Sequence, residues 1–132
     1  MAVFVDTSGI VATLNPRDDN HQMAAERWKA LLSGDEPLYI TNYALVETIA
    51  VLSRRLGFQA VRAFQTSVVP AFEVFWVDQD VHERAMAALL TVGQRDVSLV
   101  DCVSFEVMRR VGLDIAFAVD AHFREQGFQC VP

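Results

Sequence analysis

The feature that most constrains this chain is the alternation of short apolar runs with longer segments of helical periodicity. Residues 2–5 form a brief run containing two β-branched valines, ended by Asp6. Similar runs recur at Leu38-Tyr39-Ile40, at 73–77, at 115–119 before Asp120, and near 128–131. Between them, apolar residues spaced three and four apart predict helices. The first is capped by Thr7 or Ser8 and runs to about Leu14; the second covers 21–33, with Met23, Ala24, Trp28, Ala30 and Leu31 as its buried stripe, and ends at Gly34. The third starts at Thr41 or Asn42 and reaches about Leu56. Further helices are predicted over 59–69, over 78–92 up to Gly93, from Ser98 to about Arg110, and from Asp120 to about Gln126. Strands alternating with helices build an α/β domain on a central, mainly parallel sheet, here of about five strands. No repeat, linker or low-complexity segment interrupts the pattern, and 132 residues suit a single domain, 1–132.

Composition narrows the function. The chain is 52% hydrophobic, too apolar for disorder. No uncharged apolar run approaches the roughly 20 residues of a membrane span, and the start at Met1 lacks the basic region of a signal peptide. A cytoplasmic protein without membrane attachment is expected. Seventeen acids against 11 bases give a net charge of -6, which argues against a module that binds nucleic acid by phosphate neutralisation alone. A nuclease is compatible with that charge, because bound divalent cations reverse the local field. Cys102 and Cys130 have no zinc-like spacing, and Cys102 reads as a small buried hydrophobe.

Four carboxylates carry the functional argument. Asp6 and Asp120 each follow an apolar strand, and the crevice beyond the carboxyl ends of parallel strands is where such sheets bind ligands. Each is also a good helix cap, so neither is decisive alone. Glu47 has Tyr43, Ala44, Ala50 and Val51 as its helical neighbours, with Arg54 and Arg55 about two turns away. A carboxylate in such surroundings must be neutralised, paired or coordinated; a salt bridge to a distant Arg is the alternative to a functional role. Asp101 lies three residues after Ser98, a looser capping-box pattern. Asp96 and Ser98 are ancillary candidates, as are Thr7 and Ser8, whose hydroxyls would orient Asp6 or a metal-bound water. Acids gathered in one cleft repel each other unless a cation separates them, and an all-oxygen set favours Mg2+ or Mn2+. Such a site suits phosphodiester hydrolysis.

These segments resemble the PIN-domain family, and within it the VapC-type toxins of bacterial toxin–antitoxin systems. The resemblance rests on Val5-Asp6-Thr7-Ser8, on Asn42 to Thr48 around Glu47, on Asp96 to Phe105 around Asp101, and on Ala118 to Phe123 with Gly127-Phe128. Any one piece is weak; four in order are strong, and they span nearly the whole chain. The resemblance implies a PIN-like parallel sheet sandwiched by helices and RNA cleavage with Mg2+ or Mn2+. It maps the first three family acids onto Asp6, Glu47 and Asp101, and a more variable fourth onto Asp120. It further implies a homodimer, tRNA as the foremost substrate class, and a cognate antitoxin whose tail covers the acidic pocket. Ala121 departs from the polar or basic residue frequent before the family's His, here His122.

Other readings fare less well. A phosphoacceptor site needs a Lys, and Lys29 sits within an amphipathic helix; a dehalogenase-type phosphatase needs an Asp where Ser8 stands. No His–acid pair accompanies Thr7 or Ser8 as a nucleophile. His21 and His82 are expected at the surface or at helix ends, and Phe72, Phe75 and Trp76 in core or at a dimer face. An inactive PIN-like interaction module and a housekeeping RNA-processing nuclease remain the alternative functions.

Overall fold

A computed structural model describes residues 1–93 and 96–132. Five strands, β1 (Val3–Val5), β2 (Leu38–Thr41), β3 (Phe72–Phe75), β4 (Ile115–Phe117) and β5 (Gln129–Val131), form one sheet in the order β3-β2-β1-β4-β5. Every pairing is parallel. The helices are α1 (Thr7–Leu14), α2 (His21–Ser33), α3 (Asn42–Arg55), α4 (Phe58–Ala63), α5 (Gln79–Val92), α6 (Leu99–Val111) and α7 (His122–Glu125). Side chains alternate across a strand, so Val3 and Val5 enter one core with Ile10, Trp28, Ile40 and Leu52. Phe4 enters the other with Val81, Val103, Met108 and Phe123. Both faces of the sheet are therefore covered, the arrangement a parallel sheet requires. Among the described residues no helix is long and apolar enough to cross a membrane.

The connection order reverses beside β1: β2 and β3 lie on one side, β4 and β5 on the other. That switch opens a crevice at the carboxyl ends of β1 and β4. The backbone N–H of Asp6 donates to the Phe117 carbonyl at 3.0 Å, tying the two strand ends together. Gly9 sets how closely α1 approaches β4, because a Cβ there would stand 2.5 Å from the Phe117 ring.

Five expectations are corrected. Asp6, and not Thr7 or Ser8, caps α1: its backbone is extended and its carboxylate accepts from the Ser8 N–H. The helix expected over 59–69 is α4 followed by a wider π turn at Phe64–Val68 and a 3-10 turn at Val69–Ala71. Buried Phe64 packs against Phe72 there, and Pro70 supplies no N–H to continue the helix. The strand expected to Val77 ends at Phe75, and the Val77 N–H turns to the Asn42 side chain at 2.7 Å. The strand expected to Val119 ends at Phe117, so Asp120 lies three residues beyond it; the Val119 N–H leaves the ladder for the Ser8 hydroxyl at 3.1 Å. The stripe expected in α2 is narrower: Met23, 56% exposed, and exposed Ala30 stand outside the part formed by buried Ala24 and Trp28.

Candidate active site

A cleft of about 380 Å³ opens at this switch point. Asp6, Glu47, Asp101 and Asp120 all line it, as do Thr7, Ser8, Asp96 and Ser98, so every residue singled out in the sequence reaches one place. Asp6 arrives from the end of β1, Glu47 from the middle of α3, Asp101 from the first turn of α6, and Asp120 from the loop after β4. The cleft also takes Asp18, Arg55 and His122. Arg55 was legible in principle, since it follows Glu47 by eight residues on the same helical face. Asp18 sits in a turn whose sequence carries no sign of where it points.

Capping and cleft lining prove compatible. Asp6 accepts from the Ser8 N–H at 3.0 Å and the Ser8 hydroxyl at 2.6 Å, both through Oδ2. Asp101 completes a capping box with Ser98, accepting through Oδ2 at 3.1 Å. Asp120 accepts from the His122 N–H through Oδ1 at 3.1 Å. Each aspartate thus holds itself in place with one oxygen and leaves the other without a protein donor among the described residues. Ser8 is the residue that orients Asp6. Thr7 instead joins Thr48 at 2.9 Å and the Ala44 carbonyl at 3.3 Å, bracing α1 against α3. No Arg or Lys among the described residues pairs with any of the four acids, so the salt bridge considered for Glu47 is not formed there.

The electrostatics follow from that lack of counter-charge. Burial drives the Asp6 pKa from 3.8 to about 7; the Ser8 hydroxyl opposes this, and Asp120 and Asp101 add to it. Burial also raises Glu47, with the Thr7 hydroxyl opposing and Asp101 and Asp120 reinforcing. Asp101 is raised chiefly by burial and then by Asp120, against its bonds to Ser98 and the charge of His122. The His122 ring stands with Nε2 4.0 Å from Asp96, while its buried Nδ1 has no hydrogen-bond partner among the described residues.

The PIN domain family matches residues 3–129. The chain belongs to the PIN domain family. This PIN domain is 36% identical over 128 residues to a Mycobacterium tuberculosis protein named 23S rRNA-specific endonuclease VapC20, covering 96% of this chain and 95% of the relative. The crystal structure of M. tuberculosis VapC20, described as a Sarcin-Ricin loop cleaving toxin, superposes with a TM-score of 0.88 and 34% identity, over 99% of this chain and 100% of that one. VapBC2 from Rickettsia felis, solved bound to a DNA fragment from its promoter, shares the fold at a TM-score of 0.70 and 10% identity over 98% and 97% of the two chains.

The donor set of this PIN domain fits a hard divalent cation. Its donors are carboxylates, and one of these, Asp6, is buried with a pKa of about 7 and has no cationic partner among the described residues. Among the described residues no three His, Cys, Asp or Glu side chains are grouped tightly enough to grip an ion unaided. A small hard cation retains several waters when bound to one or two carboxylates, so direct protein ligands need not fill its shell. The other sequence candidates have structural employment. His21 bonds the Ala12 carbonyl at 2.9 Å, and His82 meets the Tyr43 hydroxyl at 2.5 Å. Phe72 packs on Trp28, while Trp76 is 71% exposed.

Proposed function

We propose that this chain is a metal-dependent endoribonuclease, the VapC-type toxin of a toxin–antitoxin pair, with Asp6, Glu47, Asp101 and Asp120 as its catalytic and metal-binding acids. The observation that carries the reading is Asp6: a carboxylate 2% exposed, beside Asp101 and Asp120, with no Arg or Lys among the described residues to neutralise it. Burying such a group is costly unless a cation joins it. Bound Mg2+ or Mn2+ would supply a water of lowered pKa and neutralise charge developing on the phosphate. The protein's own part is positional. Asp6 and Asp101 are fixed by Ser8 and Ser98, Glu47 is carried by α3 as it is braced through Thr7 and Thr48, and Asp120 is held by the backbone of α7.

Similarity to VapC20 across nearly the full length of both chains supports RNA as substrate and puts 23S rRNA ahead of tRNA as the first target to test. The shared fold with a VapBC assembly supports an antitoxin partner, and an acidic cleft suits an Arg side chain from that partner. A homodimer, with the work done in the cytoplasm, completes the reading. Purified protein incubated with ribosomes and with total RNA should cut at discrete sites with Mn2+ and not with excess EDTA. Absence of cleavage with metal, or cleavage indifferent to EDTA, overturns the proposal.

A further inference from the structure

Beside the acid cleft lies a second cavity of about 390 Å³, lined by Asn15, Pro16, Arg17, Arg55 and Leu56. Arg55 lines both, so the two cavities adjoin at this residue. The helical repeat creates this junction. Glu47, Val51 and Arg55 follow at four-residue steps along one face of α3, and all three reach the acid cleft. That face starts acidic and ends basic. Opposite it, the turn after α1 is set by Asn15, whose Oδ1 accepts from the Arg17 N–H at 3.1 Å and whose carbonyl accepts from the Asp18 N–H at 3.0 Å. Consecutive residues of this turn then serve opposite ends of the groove, Arg17 in the basic cavity and Asp18 in the acid cleft.

Arg84 and Arg110 pair with Asp80, and Arg109 bonds Gln126, while Arg27, Arg54 and Arg124 make no ion pair among the described residues but line neither cavity. Among the described residues, neither Arg17 nor Arg55 makes an ion pair. In a chain of net charge -6, two exposed arginines therefore line the cavity that adjoins an acidic cleft, their guanidinium forks without a partner among the described residues. Such forks match the oxygens of a phosphate. We propose that Arg17 and Arg55 form a phosphate subsite, gripping an RNA backbone phosphate that neighbours the one lying over the carboxylates. The inference rests on the endoribonuclease reading. A nucleic-acid strand fits better than an acidic peptide for two reasons. The strand must already enter the adjoining cleft, so its next phosphates are delivered to the arginines. Pro16 and Leu56 also offer apolar wall to a sugar or base, which a run of carboxylates would not use.

The test is binding of a fluorescein-labelled, single-stranded 2′-O-methyl RNA of about 12 nucleotides, followed by anisotropy with Mg2+ in Asp101→Asn protein, so that cleavage does not intrude. Adding Arg17→Ala and Arg55→Ala should weaken binding about tenfold and lower the slope of log Kd against log salt by about 0.7, the value for one lost phosphate contact on a single strand. Removing the same charge elsewhere, by Arg62→Ala with Arg84→Ala, should change neither. As a check that needs no variant to fold, neutral methylphosphonates placed one at a time should reveal one position that matters to the parent; where the double variant folds, it should be indifferent at that position. Unchanged affinity and slope, an equal loss in the control pair, or no sensitive phosphate would overturn the subsite. So would a double variant that binds the RNA normally but loses polyglutamate binding, which would make the cavity a protein-docking site. Failure of the wild type to cut RNA leaves this binding result readable, whereas normal cleavage with arginine-independent binding removes the subsite alone.

Discussion

Asp6 and Asp80 belong to the same residue type and both stand at helix starts, yet their surroundings drive them in opposite directions. Asp80, in the first turn of α5, receives Arg110 from α6 at 2.9 Å and Arg84 from its own helix at 3.3 Å. The Arg110 hydrogen bond leads in lowering its pKa. Asp6 is buried, has no cationic partner among the described residues, and is raised to about 7. The exposed cluster ties α5 to α6 at little gain, as surface ion pairs do. The cleft does the reverse: burial without a counter-charge is an electrostatic cost, relieved by uptake of a proton or, on the proposed function, by a bound cation. Charge that the protein neutralises itself is structural, and charge left without a counter-ion marks the candidate site.

The sharpest way to break that contrast is activity. If the proposed function holds, Asp6→Asn and Asp101→Asn should each lower RNA cleavage by at least about a hundredfold, because each would remove a proposed metal ligand. Asp80→Asn should stay within about twofold of wild type. Comparable losses at Asp80, or normal cutting by both cleft variants, would erase the distinction.

A smaller effect lies in metal-free stability. The folded pKa of Asp6 stands above its ordinary value, so the folded state holds the proton more tightly than the unfolded chain. Its contribution is fully present at pH below about 4, falls as the pH rises towards about 7, and then levels off. Asp6→Asn retains a capping side chain without the charge. In EDTA near pH 7.5 it should melt on the order of 5 °C above wild type, with the gap closing near pH 4. A wild type whose thermal stability does not decline relative to Asp6→Asn across that window would contradict the burial account.

The smallest effect belongs to the exposed cluster. Asp80 has a lowered folded pKa, so its stabilisation is present above the ordinary carboxylate range and is lost as pH falls through it. Asp80→Asn should shift the melting temperature at pH 7 by no more than about 2 °C, and less in high salt. A larger, salt-insensitive loss would show that this pair does more than link two surface helices.

Much of the architecture was legible because local rules agree with the global arrangement. Thr41 and Ser98 cap the helices they were expected to cap, and Gly93 and Gly112 end theirs in the left-handed conformation. The boundaries that shifted did so where a backbone group found a distant partner, as Val77 did at Asn42 and Val119 at Ser8. Periodicity carries no information about such bonds. Glu47 is instructive in another way. Its helix is not wholly enclosed, since Val46 is 68% exposed, yet the side chain faces the cleft.

The sequence by itself determined which residue types would be available and on which elements: Asp6 after β1, Glu47 on α3, Asp101 in a capping box, Asp120 after β4. Those placements follow from interactions within a few residues. Only the tertiary structure decided that Asp18 and Arg17 meet the Glu47–Arg55 face of α3, Asp18 at the acid cleft and Arg17 at the adjoining basic cavity. The turn after α1 and the end of α3 are far apart in the chain, and the strand order β3-β2-β1-β4-β5, which seats both α1 and α3 around the switch point, brings them together.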